Sequence, residues 1–178
     1  MTDDTDGPDE LDAGELDAGE HVAVEQLTVR RVRGDITAQR VDAIVNPWNR
    51  NFVPRWMISP GGVSAALKRK TGPEPWGDLA RRGMPRLGQA VTTSSGDLAN
   101  AKAIIHVAGL TIGWKATRES VRLSTVNAVA EARAHGFRSL AIPLIGAGTG
   151  GLPPEESRAV IEGALDPTAP FHVVMVEL

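Results

Sequence analysis

The pattern of apolar and polar positions divides the chain into two unequal parts. Over the first twenty residues apolar side chains are sparse and follow no period, and the pentapeptide ELDAG occurs twice in succession, at Glu10–Gly14 and Glu15–Gly19. Such a segment buries too little apolar surface to offset the entropy of ordering, so residues 1–21 are expected to form an acidic, disordered tail ahead of one domain over 22–178. From Val22 onward β-branched runs appear at Gln26–Val32, Val41–Asn46, Gln89–Thr93, Ala103–Ala108, Leu140–Ile145 and Phe171–Glu177, which predicts six strands. Several, such as IIHVA and LAIPLI, are apolar almost throughout, as expected where helices cover both faces of a largely parallel sheet. Helical spacing separates them. Ser64–Thr71 stops at Gly72, and Thr117–His135 sets Leu123, Val126, Val129 and Ala130 on one side before Gly136. A third helix opens with Pro153 and Pro154, carries Glu155 and Glu156 in its first turn, and aligns Val160, Ile161, Ala164 and Leu165. Alternation of strand and helix gives an α/β class, a three-layer α/β/α arrangement around a mixed, largely parallel sheet of about six strands.

Composition narrows the chemistry. With 178 residues and 42% apolar content, one core and one domain are expected. No apolar run approaches the roughly 20 residues of a membrane span, and Met1 is followed by acidic residues, so the expectation is a cytoplasmic protein without membrane contact. The absence of cysteine removes disulfides, thiolate catalysis and cysteine zinc sites, and His21, His106, His135 and His172 lack metal-ligand spacing; neither metal nor cofactor is expected. The basic residues are mostly arginine, which fits a bacterial genome as readily as a function. The net charge of −3 conceals an asymmetry: Met1–Glu20 holds nine acidic residues and no basic one, leaving 13 acidic against 19 basic residues in the remainder. A basic domain suits an anionic ligand, although scattered solvated charges are the plainer account.

The most informative stretch is IGAGTGGL at Ile145–Leu152, between a buried-type strand and a helix start. Glycines there let the backbone turn and bring successive N–H groups against phosphate oxygens, with the dipole of the next helix behind them. Gly146, Gly148 and Gly151 also fit a dinucleotide GxGxxG pattern with Glu177 as a ribose acid, but that motif normally opens a nucleotide domain, and here one strand remains. A second glycine turn, Pro60–Ser64, leads into the first helix. Ahead of it, Asn46, Asn49 and Asn51 in NPWNRN offer amides suited to sugar hydroxyls, or form an ordinary turn. His106 reads as a hydrogen-bonded strand histidine, and Lys68-Arg69-Lys70 as a solvated helix face.

In combination these motifs resemble a known family. GDIT at Gly34–Thr37, VDAIVNPWN at Val41–Asn49, GGVS at Gly61–Ser64, IIHVAG at Ile104–Gly109 and PLIGAGTGGLP at Pro143–Pro153 are similar in order and spacing to the macrodomain series, over about Leu27–Leu165. The resemblance is to bacterial mono-ADP-ribosyl hydrolase macrodomains. It implies that Asp35 accepts a hydrogen bond from the adenine amino group with the Ile36 backbone beside it, although Asp35 taken alone reads sooner as a turn-forming or helix-capping residue. It further implies that Gly61, Gly62, Val63 and Ser64, with Gly146, Ala147, Gly148, Thr149 and Gly150, surround the diphosphate and distal ribose, which Asn49 faces, while Asn46 supports the strand end.

The hydrolase subgroup often carries Asp where this chain has Ser64, and a hydroxyl of ordinary pKa cannot act as an ionised base. No Asp or Glu occurs over 43–73 or 140–154. The resemblance therefore implies substrate-assisted hydrolysis of mono-ADP-ribose from Asp or Glu side chains, with Asn49, Asn51 and Ser64 as the catalytic set. A non-catalytic ADP-ribose reader, or a deacetylase or phosphatase of small ADP-ribose derivatives, stands as the alternative. Partners are ADP-ribose and ADP-ribosylated proteins; nucleic acid is not expected, and a monomer is. Trp48 and Trp56 depart from the family pattern; Trp48 is expected to pack, with stacking on the ribose as the other option. The sequence stops at Leu178, just after the last expected strand and near the point where the family often places an adenine-stacking aromatic, so a modest adenine affinity is expected.

Overall fold

In the computed structural model, residues 26–48 and 62–177 are described; the acidic segment 1–21 and the residues Asn49, Asn51, Trp56 and Gly61 lie outside them. The strands are β1 (Leu27–Arg33), β2 (Ala43–Pro47), β3 (Ala90–Ser94), β4 (Ala103–Val107), β5 (Ser139–Pro143) and β6 (Phe171–Glu177). The helices are α1 (Gly62–Thr71), α2 (Glu74–Arg81), α3 (Arg118–Ala134) and α4 (Pro154–Ala164), and a 3-10 turn spans Ile36–Ala38. All six expected strands form, with ends shifted by a residue or two. One helix escaped the sequence reading. In α2, Pro75 and Gly77 obscure the period, yet Pro75, Trp76 and Leu79 are buried.

The strands lie in the order β1-β6-β5-β2-β4-β3, and only β3 runs against its neighbour. Central strands alternate between two apolar faces. Val45, Ile105, Leu140, Ile142, Val173 and Met175 meet Val121, Ala128 and Ala132 of α3 and Val160 and Ile161 of α4. On the other face, Ile44, Ile104, Ala141 and Val174 meet Leu67 of α1 and Trp76 and Leu79 of α2. Burying each such aliphatic side chain stabilises the fold by about 1.5–3 kcal/mol against leaving it in water. Two layers of helix around one sheet result. At its open edge, β1 is different: five of its seven residues are exposed, among them Arg30, Arg31 and Arg33.

Buried serines fix the loops at the carboxyl ends of the strands. Thr117 and Ser120 cap α3 reciprocally, and the Ser120 hydroxyl also donates to the Gly109 carbonyl at 2.8 Å, tying the helix start to the end of β4. Ser157 of α4 donates to the Ile145 carbonyl at 2.8 Å and does the same for β5. A hydroxyl bonded without access to water holds its carbonyl in place, because releasing either group unpaired costs about 1–3 kcal/mol.

Candidate functional site

Strand order alone singles out one crevice. From β5 the chain passes through α4 to β6 on one side, whereas from β2 it continues to α1, in the opposite layer, before reaching β4 on the other side. β2 and β5 are neighbours, so the chain leaves their carboxyl ends in opposite directions and opens a gap between them. Ligands of open α/β sheets bind at such a point. The glycine segment 146–151 and the start of α1 flank it.

The β5–α4 loop is held from below and open above. Gly146 is buried with φ +82°, and a Cβ there would stand 2.4 Å from the Ala116 Cβ; one on Gly150 would stand 2.7 Å from Ala116, Leu110 and the Gly146 carbonyl. No side chain fits at either position. The loop is closed by Leu152 N–H donating to the Gly146 carbonyl at 3.1 Å and Gly151 N–H to the Gly148 carbonyl at 3.1 Å, while the Gly150 carbonyl accepts from Ala116 N–H at 3.0 Å. The N–H groups of Gly148, Thr149 and Gly150 donate to no protein group among the described residues. Gly148 and Thr149 are exposed, and Ala147 is half-buried. Three consecutive donors of this kind form a cradle for anionic oxygens. The helix that follows adds less than the sequence reading assigned to it: Pro153 and Pro154 have no N–H, and Glu155 and Glu156 place negative charge in its first turn.

Across the crevice, Gly62, Val63 and Ser64 form the first turn of α1, where a helix leaves its N–H groups without intrahelical acceptors. Gly62 has φ +60°, which glycine alone adopts cheaply. The Ser64 hydroxyl donates to Asn46 Oδ1 at 2.7 Å, and Asn46, fully buried at the end of β2, reaches His106 Nδ1 at 3.0 Å. His106 is buried on β4 and hydrogen-bonded, as its strand position led us to expect. Desolvation, reinforced by the Arg82 charge and opposed by Asp78, pushes its pKa down from 6.5 to about 3, so it is neutral at physiological pH. Trp48 is half-buried, 5.8 Å from the Trp76 ring, and Lys68 Nζ lies 5.6 and 4.9 Å from the two ring centres. It packs rather than stands free, and Lys68 turns towards the indoles while Arg69 and Lys70 are exposed.

Asp35 lies at the far end of the same edge, where Gly34 N–H donates to the Glu177 carbonyl at 2.8 Å. Its Oδ1 accepts from the Thr37 N–H at 2.8 Å and hydroxyl at 2.7 Å, capping the 3-10 turn. These bonds hold its carboxyl below the usual range, the Thr37 hydroxyl first among them, so the group is ionised; the residue is exposed. The capping role is thus present. Ile36 beside it is buried. Glu177, weighed as a ribose acid, is bound by Arg158 at 2.8 Å instead. Among the described residues, no group of His, Asp and Glu is arranged to hold a metal, and no helix is long and apolar enough to cross a membrane.

Known proteins share this arrangement. The family model described as the macro domain matches residues 45–161. A macro domain-containing protein of Streptomyces griseus is 32% identical over 162 residues, covering 84% of this chain and 88% of the relative. The macrodomain of Thermus aquaticus DarG superposes with a TM-score of 0.69 at 27% identity, covering 85% of this chain and 99% of that one. An Oceanobacillus iheyensis macrodomain with ADP gives a TM-score of 0.72 over 89% of this chain and 86% of that one; at 24% identity it speaks for the fold alone. The chain spans about a third of the length of the mycobacterial relatives it matches, 34–36%. From the order of strands, the family model matched over residues 45–161 and the identity to a macro domain-containing relative together, it follows that the chain belongs to the macro domain family.

Proposed function

We propose that this protein, with its domain over residues 22–178, binds ADP-ribose in the β2/β5 crevice and hydrolyses mono-ADP-ribose from modified Asp or Glu side chains. The observation that carries the binding is the row of N–H groups at Gly148, Thr149 and Gly150, which donate to no protein group among the described residues, at the end of the strand that neighbours β2 and its following helix α1. A diphosphate is the anion that such paired corners fit. Binding of ADP by a macrodomain of the same fold is consistent with this assignment. Asp35 then accepts from the adenine amino group, with Ile36 alongside, and Asn49 and Asn51 face the distal ribose.

For hydrolysis, a water attacks the anomeric carbon of the distal ribose, the bond to the ester oxygen breaks, and the side-chain carboxylate leaves with its electron pair. Ser64 is no base for this water, because its hydroxyl is neutral and its proton is given to Asn46. A phosphate oxygen of the ligand takes the water's proton instead. Positioning of this kind supplies on the order of 7–11 kcal/mol in favourable cases. The commitment of Ser64 to Asn46 is also what a non-catalytic reader would show, so the two readings are separated by turnover.

Calorimetry with free ADP-ribose tests the binding, and release from substrates modified separately on glutamate and on serine tests the reaction. We expect binding and release from glutamate alone; no heat with ADP-ribose would remove the whole assignment, and binding without release would leave a reader. Replacing Asn49 by Ala is expected to lower kcat by at least about tenfold, the effect of losing one positioning hydrogen bond of roughly 1.4 kcal/mol, with a smaller change in affinity. Unchanged turnover in that variant would remove Asn49 from the catalytic set.

A further inference from the structure

Asn46 and His106 pair across β2 and β4 in the core, where polar groups must find partners within the protein. They belong to one line of hydrogen bonds. Ser64 Oγ donates to Asn46 Oδ1 at 2.7 Å, Asn46 Nδ2 lies 3.0 Å from His106 Nδ1, and His106 Nε2 lies 2.9 Å from Thr93 Oγ1. Thr93 in turn donates to the Ser94 carbonyl at 3.2 Å. Trp76 and Trp48 close the imidazole edge-on, with centroids 5.4 and 6.5 Å away.

An amide has one donating and one accepting end, and so does a neutral imidazole, so the line has a direction. With Asn46 Oδ1 towards Ser64, His106 Nδ1 must be the lone pair and Nε2 must carry the proton. Turning the amide over would reverse every member: the Ser64 proton would be left with only the longer contact to the Pro47 carbonyl, at 3.4 Å, His106 would become the Nδ1–H tautomer, and Thr93 would donate inward. That reversal exchanges the 2.7 Å bond from Ser64 to Asn46 and the 3.2 Å bond from Thr93 to Ser94 for a Ser64 proton on the Pro47 carbonyl at 3.4 Å, so the first direction is the better satisfied.

We propose that His106, backed by Thr93, is a positioning residue that fixes the Asn46 amide and thereby turns the Ser64 proton away from the crevice. Building on the ADP-ribose reading above, this assigns the two sides of the crevice different tasks. Ser64 Oγ offers only lone pairs to a ligand, so it takes a sugar hydroxyl as a donor and repels an anionic oxygen. The glycine segment 148–150 offers donors and takes the phosphates. Residue 64 thereby helps set which way round a sugar phosphate lies, and it does so through a threonine on the antiparallel edge strand.

Nitrogen–proton long-range correlation spectra of the full chain read the tautomer directly. We expect neutral His106 with its proton on Nε2, and an Nδ1–H tautomer in the wild-type protein overturns the proposal without any variant. Thr93→Val keeps the shape and removes the acceptor. A buried N–H without a partner is costly, so the proton is expected to move to Nδ1 and the amide to turn over, with ADP-ribose affinity falling about tenfold. Thr93→Ser is expected to restore both. A Val variant that keeps the Nε2–H tautomer and binds within twofold of wild type overturns the proposal. Absence of ADP-ribose binding by the wild-type protein removes the ligand assignment, while the tautomer still decides the direction of the line.

Discussion

Gly148→Val is expected to fold with wild-type stability and to bind ADP-ribose at least about a hundredfold more weakly. A Cβ at this exposed position meets nothing within 4 Å, and its φ lies outside the left-handed range, so the backbone accepts a side chain without strain. The isopropyl group would instead stand where the phosphates are assigned and screen the neighbouring N–H groups. Losing two charge-assisted hydrogen bonds at roughly 1.5 kcal/mol each gives a change of about that size. Gly150→Val makes the contrast, because its Cβ would lie 2.7 Å from each of three neighbours and should reduce stability as well as binding. Urea midpoints and calorimetry on the two variants separate the cases. Wild-type affinity in the folded Gly148 variant would move the ligand away from this loop.

Acid is the second strong lever. His106 titrates at about 3 in the folded protein against 6.5 when unperturbed, chiefly through burial, so between those values the unfolded chain takes up a proton that the native one refuses. The stabilising contribution is therefore complete above about pH 7 and declines as the pH falls through 6.5 towards 3. Each tenfold difference in proton affinity between the two states is worth about 1.36 kcal/mol, so unfolding free energy should drop by about 2 kcal/mol between pH 7 and pH 5. His172, lowered by burial and by Arg30, adds in the same sense, to a smaller extent because it is less buried. The carboxylates held low, Asp35, Asp42 and Glu177, keep their stabilising contribution down to the usual carboxylate range and lose it only as the pH falls through that range and below. Urea denaturation at the two pH values measures the loss, and a His106→Gln variant should show a shallower dependence. Equal midpoints at pH 7 and pH 5 in the wild-type protein would mean that the imidazole is not buried as described.

What could be read from the residues in order was what depends on local pattern. β4 and β5 were legible because strands covered on both faces must be apolar throughout, and the β5–α4 loop because close approach of backbones admits only glycine. α2 was not, since Pro75 and Gly77 interrupt an eight-residue helix whose buried Trp76 and Leu79 are the signal that remains. At the site, the buried, bonded state of His106 followed from its place in IIHVA. Its partners did not, because Asn46 is 60 positions away and meets it only through the parallel register of β2 and β4. Asp35 shows the other difficulty: the carboxylate that caps the 3-10 turn is also the one assigned to adenine, and sequence presented these roles as rivals when one oxygen serves the first.

The exposed arginines of β1 have a bearing on how many strands the sheet can hold. Among the described residues, Glu162 balances Arg31 and Arg30 reaches the neutral Gln39, so their margin stays cationic. Two such margins brought to the 4.7–4.9 Å spacing of paired strands would stand well inside the roughly 8 Å over which charge is felt at physiological ionic strength. Repulsion then acts before any backbone bond between molecules can form, and the sheet resists growing sideways into fibrils. In molar salt that reach shrinks to about 3 Å, and the same margin becomes a place where chains could zip together.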